Sequence, residues 1–262
     1  DLLAKFALVS NLASMLAKRQ SNIDSIKDTL VPMLLWCGAI CGAIALSNIS
    51  TAVLMFATCL LLMFIGRVPV KYLAMLVVVG ILFFTLALAI GQRMGTAVSR
   101  IKKFTDRSEI PFQAQQSYIA IASGGVMGKG PGNSTQRNFL PHPYSDFIYA
   151  IIIEEYGAFG GLFVLGLFML LLYRGMITVQ NSERAFGGLL SAGLSFLVVI
   201  QALINMGVAV GLGPITGLPL PLLSMGGTSL LFSGISIGII LSVSKGEGQE
   251  FTEEGKLAKN HD

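Results

Sequence analysis

Residues Gly124–Gly160 read GGVMGKGPGNSTQRNFLPHPYSDFIYAIIIEEYGAFG. The stretch opens as a basic, Gly-rich loop and crosses Pro141 and Pro143. It then enters an apolar segment with Asp146 at its mouth and Glu154 and Glu155 directly after Ile151-Ile152-Ile153. An ionisable residue inside or at the lip of a membrane segment is costly to keep there, which makes it a functional candidate by default. Asp146, Glu154 and Glu155 are therefore the first residues to explain.

The surrounding chain supplies the membrane context. Hydrophobic residues make up 53% and charged residues 12%, and mean hydropathy is +0.74. Soluble domains carry roughly 25% charged residues. The composition thus specifies an integral membrane protein and excludes a soluble globular domain. Runs of about 20 apolar residues suit spanning helices. They fall at 2–18, 29–47, 49–66, 69–91, 146–173, 186–211 and 222–243. They are too long for strands and lack period-two alternation. The expected fold is all-α and polytopic, with about seven transmembrane helices in residues 1–244. A long extracytoplasmic loop is expected over 92–145, and a polar tail, expected to be disordered, over 245–262.

Orientation follows from the cations. Lys18, Arg19, Lys27, Arg67, Lys71, Arg174, Arg184, Lys245, Lys256 and Lys259 collect on one side. The short connections around Ser47 and from Gly211 to Pro221 carry none, so the positive-inside rule places the first group in the cytoplasm. The 92–145 loop breaks the bias with Arg93, Arg100, Lys102, Lys103, Arg107, Lys129 and Arg137 against Asp106 and Glu109. Two readings stand. Long loops obey the rule weakly, or these cations face an anionic ligand such as a lipid diphosphate. Within the loop, Phe112–Val126 has the composition of an amphipathic helix at the membrane surface.

Each candidate also has a plain structural reading. Gly124, Gly125, Gly128, Gly130 and Gly132 suit a flexible turn as well as a phosphate cradle, and no P-loop spacing is present. Asp146 suits a helix N-terminus as well as chemistry. Glu154 and Glu155 suit buried hydrogen bonding as well as a water-filled cleft. Gln201 and Asn205, at i and i+4, suit interhelical hydrogen bonding. Pro214, Pro219 and Pro221 forbid a continuous helix through 211–221, and broken helices at membrane depth line cavities or pack in protein. Cys37, Cys41 and Cys59 lie in apolar runs without a nearby His or acid, as packing residues do.

Three segments together resemble the FtsW/RodA/SpoVE (SEDS) family: QQSYIAIASGGVMGKGPGNSTQ from Gln115, LPHPYSDFIYAIIIEEYG from Leu140 and NMGVAVGLGPITGLPLPLLSMGGTSL from Asn205. The likeness runs through nearly the whole chain, with Lys5 matching a family lysine, and leans towards the division-type FtsW branch. It implies that three N-terminal helices of a ten-helix protein precede what this chain holds. It also implies a peptidoglycan glycosyltransferase of the bacterial cytoplasmic membrane, with its cleft facing outside, polymerising lipid II onto an undecaprenyl-diphosphate-linked glycan. Asp146 matches the aspartate of the family's His-Thr-Asp-Phe motif and would act as general base. Arg93, Arg100, Lys102, Lys103 and Lys129 would neutralise the diphosphate, with room for a divalent cation, Mg²⁺ or Mn²⁺. Gln136, Glu154, Glu155 and Ser224 complete the candidate substrate contacts.

The resemblance further implies a class B penicillin-binding protein as partner, alongside membrane lipid, and no nucleic acid. There are departures: His142 replaces a common Glu, Tyr144-Ser145 replaces His-Thr, and Asn48 replaces a common Asp. The first weakens any mechanism needing a second carboxylate beside Asp146, and the last weakens an ion-ligand role at residue 48. Two other functions fit the same residues. One is a lipid-precursor flippase using the broken helix and Glu154/Glu155. The other is a non-catalytic scaffold for a penicillin-binding protein.

Overall fold

The computed structural model describes residues 2–19, 31–90, 99–100, 104, 110–140, 143–182 and 184–259, without the side chains of 2–3, 83–90 and 246–259. Among the described residues the α-helices are, in order, α1 Leu2–Lys18, α2 Val31–Ser47, α3 Ile49–Ile65, α4 Val70–Ile90, α5 Phe112–Gly124, α6 Ile148–Asn181, α7 Ala185–Ala209 and α8 Gly227–Lys259. A 3₁₀ turn, Gln136–Asn138, interrupts the loop between α5 and α6. No strand occurs among the described residues, so the architecture is all-α. Helices α6, α7 and Gly227–Lys245 of α8 are long and apolar enough to cross a membrane, and Val31–Ser47, Ile49–Ile65 and Val70–Leu82 are shorter apolar helices.

Helix α7 is the centre of the bundle, packed against α1, α3, α6 and α8. Its small residues allow this, because without a strong hydrophobic drive in lipid, helices associate where backbones approach closely. A Cβ at Gly193 would stand 2.6 Å from Val9 Cγ1, and Gly175 of α6 packs directly on Ser195. The matching face of α1 is Leu8, Val9, Leu12, Ala13 and Leu16, all buried at helical spacing. Outward faces stay apolar: Leu35, Val78, Ile81, Phe159 and Phe163 are more than half exposed, as suits side chains that meet lipid tails.

Several expected boundaries shift for physical reasons. Helix α6 runs to Asn181 rather than 173, because Arg174 and Asn181 lower hydropathy without interrupting backbone hydrogen bonds. Helix α8 starts at Gly227 rather than 222, since Leu222 takes a positive φ of 66° in the preceding turn. The 245–262 tail, expected to be disordered, instead continues α8 as helix to Lys259. No proline follows Pro221, and Lys, Glu and Gln are good helix formers. Asn48 caps α3, its Oδ1 accepting from Thr51 N at 3.2 Å, so its side chain has a structural task. Cys37, Cys41 and Cys59 are free and buried in the α2–α3 region.

Helix α5 fulfils the Phe112–Val126 expectation of a helix, but its small face, Ala114, Ser117, Ala120 and Gly124, is buried against the bundle. Ser117 Oγ donates to Ala209 O at the end of α7 at 2.8 Å. This contact sets α5 directly against the α7 terminus.

Candidate active site

The site is built on the segment from Val210 to Gly226, where the chain leaves α7 and enters α8 without regular structure. Prolines lack an N–H and cannot form a helical ladder, so the carbonyls here need donors from elsewhere. Helix α7 supplies them: Gln201 Nε2 donates to Pro219 O, and Asn205 Nδ2 donates to Leu218 O, both at 2.8 Å. The polar i, i+4 pair therefore serves the broken segment as well as the interhelical contact expected of it. An interhelical contact also exists, from Lys5 Nζ of α1 to Gln201 Oε1 at 3.4 Å.

The same donors fix the turn that carries Asp146. Asn205 Nδ2 also reaches Asp146 O at 2.8 Å. Ser224 Oγ donates to Ser145 O at 2.6 Å while accepting from Leu220 N at 2.7 Å. Met225 N donates to Tyr144 O at 2.7 Å. Residues 144–146 are thus stitched, carbonyl by carbonyl, to the broken segment. Ser224, a candidate substrate contact by sequence, has its hydroxyl engaged as the rivet of this joint.

Asp146 itself is half-buried in a turn, with Phe147 at the helix boundary making no side-chain cap bond. The helix-capping reading therefore does not describe it. Its Oδ1 accepts from Ser145 Oγ at 3.0 Å, and its Oδ2 lies 3.8 Å from where a Cβ at Gly217 would stand. Gly217 has φ +69°, a conformation that L side chains rarely adopt. The carboxylate keeps unused acceptor sites beside a bare stretch of backbone.

Two residues away on the same segment, Ile215 O accepts from exposed Arg100 Nη1 at 3.3 Å. Arg100 also borders a cavity of about 750 Å³ with Gln113, Tyr118, Gly211 and Pro214 among its walls. The broken segment therefore brings an acid and a cation from distant parts of the chain to one loop. Arg93, Lys102, Lys103, Arg107 and His142 lie outside the described residues.

Glu154 occupies a different kind of place. It is 0% exposed, and its carboxylate is surrounded by donors from the Gly-rich loop. Lys129 Nζ approaches Oε1 at 2.6 Å, and Ser134 Oγ approaches Oε2 at 2.5 Å. Thr135 Oγ1 at 2.9 Å, Thr135 N and Gln136 N at 3.2 Å, and Ser123 Oγ at 3.3 Å complete the set. A buried charge is tolerated only when paired and hydrogen-bonded, and this one is both.

The Gly-rich stretch is therefore strapped down rather than loose. Lys129 N and Gly130 N donate to Glu154 O and Glu155 O at 2.9 Å, and Ala158 N donates to Gly125 O at 2.9 Å. Gly157, at φ +69°, breaks the regularity of α6, and a Cβ there would collide with Val126 O. Lys129 spends its charge on Glu154 inside the chain. Gln136 contributes its N–H to the same clasp, while its Oε1 is buried without a partner among the described residues. Glu155 is half-buried and joins the clasp through its backbone carbonyl. Ser123, Ser134 and Thr135 were missed by sequence reasoning, since nothing in their spacing points to a carboxylate so far along the chain.

An all-helical polytopic membrane protein whose broken segment clamps an acidic turn is the class this architecture defines. The chain belongs to the FtsW/RodA/SpoVE family, whose model, described as a cell cycle protein, matches residues 3–249. It is 34% identical over 247 residues to stage V sporulation protein E of Bacillus subtilis, covering 92% of this chain and 67% of that protein. It is 37% identical over 257 residues to the probable peptidoglycan glycosyltransferase FtsW of the same organism, covering 92% and 62%.

Among solved structures, it resembles a chain of a peptidoglycan synthase complex that coordinates polymerization and crosslinking, with TM-score 0.69 and 25% identity, covering 94% of this chain and 69% of that one. It also resembles the rod shape determining protein RodA of Thermus thermophilus, with TM-score 0.61 and 26% identity, covering 93% and 64%. The chain spans about two thirds of the length of the curated relatives it matches.

Proposed function

We propose that this chain is the catalytic part of a peptidoglycan glycosyltransferase that polymerises lipid II, with Asp146 as general base. The observation that carries the reading is the Asp146 turn. Its carboxylate is half-buried and retains free acceptor sites, and its backbone is fixed by Asn205 and Ser224. Such a group accepts the proton of an acceptor sugar hydroxyl as that oxygen attacks the anomeric carbon, while the diphosphate departs. A fixed base works because orientation is settled before the substrate arrives. Arg100, on the same loop, is the described cation best placed to meet the diphosphate. Relatives named peptidoglycan glycosyltransferase support this assignment.

The flippase reading rests on the broken helix and on Glu154 and Glu155 as intramembrane acids, and of these Glu154 decides between the readings. That carboxylate is occupied by the loop clasp, which favours the enzyme. A divalent cation has a thin protein site: among the described residues, no three His, Cys, Asp or Glu side chains converge. Mg²⁺ commonly relies on one or two carboxylates plus substrate phosphates, so Asp146 and the diphosphate would be its ligands. We further propose that the cleft opens on the outer face of the bacterial cytoplasmic membrane, with about seven helices of this chain crossing it. A class B penicillin-binding protein is the proposed partner, in line with the synthase complex among the structural neighbours.

The test is purified protein, with that partner, supplied with labelled lipid II in vesicles. Glycan ladders are expected. Translocation of lipid II without polymer would replace the enzyme with a flippase, and neither product would leave a scaffold.

A further inference from the structure

At the end of α6 remote from Asp146, α6 and α8 leave a groove of about 560 Å³ between them. Its walls divide into two halves. Leu167, Leu170 and Leu171 of α6 face Ile237, Ile240 and Leu241 of α8. Continuing along α6, the stripe of Leu167 and Leu171 becomes Arg174, Thr178 and Asn181, with Ser244 on the α8 side. These positions share one helical face. Leu167 to Arg174 covers about 10 Å of wall, room for a good part of an acyl chain.

The polar half is made of donors. Thr178 Oγ1 is occupied by Arg174 O at 3.1 Å, which leaves the Arg174 guanidinium, the Asn181 amide and the Ser244 hydroxyl. Among the described residues no acidic side chain lines the groove. Arg174 is exposed, and exposed Lys245 follows Ser244. A guanidinium only donates hydrogen bonds, so an occupant of this end must bring an acceptor.

We propose that this groove binds an anionic glycerophospholipid, with an acyl chain along the leucine–isoleucine walls and its phosphate on Arg174 and Asn181. Charge selects this occupant. Two oxygens of a phosphate supply the two-pronged acceptor that the planar guanidinium fits, and the lipid's apolar chain matches the other half. An apolar helix from a partner would bury Arg174 without an acceptor.

Native mass spectrometry of the full chain, released from detergent containing either phosphatidylglycerol or phosphatidylcholine, tests the site. Phosphatidylglycerol is expected to be retained in preference. Arg174→Gln should weaken its retention by about tenfold, the worth of a charge-assisted hydrogen bond, and erase the preference. Arg174→Lys should restore part of it. A photocrosslinking benzoylphenylalanine in place of Leu241 should label lipid. Equal retention by wild type and Arg174→Gln, or crosslinking to a second copy or another polypeptide instead of lipid, would overturn the proposal.

Discussion

Asp146 and Glu154 are both acids at the head of α6, yet their surroundings give them opposite tasks. Asp146 has one side-chain donor, Ser145, and a bare glycine opposite. Glu154 is saturated by donors from four side chains and two backbone N–H groups. A saturated carboxylate holds structure, because every partner lost leaves a buried polar atom unpaired. Glu154→Gln should therefore lower stability by about 1–3 kcal/mol, read as an earlier midpoint in detergent thermal unfolding. Lys129→Ala should move the midpoint in the same direction, and the double variant should cost less than the two single costs added, since the pair is one contact. Additive losses would show that the two side chains do not act together.

At the scale of elements, two devices shape the site. The break of α6 at Gly157 admits the Gly-rich loop against its backbone. Gly157→Ala should destabilise the fold by at least about 1–2 kcal/mol, because the residue needs a positive φ and the new methyl meets Val126 O. Intact thermal stability in that variant would contradict the docking described. The second device is the clamp from α7 to the broken segment. Asn205→Leu removes the donor shared by Asp146 O and Leu218 O, leaving two carbonyls short of a partner. It should reduce polymerisation strongly while bulk helicity by circular dichroism stays near normal. Gln201, whose amide holds one carbonyl of the broken segment, Pro219 O, and none of the Asp146 turn, should matter less in the same assay.

These devices also show what the sequence could and could not reveal. The apolar runs were legible because each is long enough for a helix whose hydrogen bonds are local, so helix order and most starts agree with expectation. The ends of α6 and α8 were not, since hydropathy reports the solvent a residue prefers and not whether the backbone bonds continue. Proline spacing exposed the broken segment, and Gln201 with Asn205 carried a polar signal, but their carbonyl partners depend on tertiary fold. The Glu154 clasp was illegible. Lys129 and Ser134 become its partners only when the loop folds back on α6, and flexible glycine is the natural reading until the opposing Gly128 and Gly157 backbones are seen in contact.

For the whole molecule, the bundle around α7 fixes the Asp146 turn where it meets the broken segment. The most direct measurement is the initial rate of glycan-strand formation from labelled lipid II by the full protein with the proposed penicillin-binding partner, comparing wild type with Asp146→Asn. The asparagine variant should keep its thermal midpoint and lose polymerisation by about a hundredfold or more, the scale of positioned acid–base catalysis. A variant that still builds strands at near the wild-type rate would contradict it.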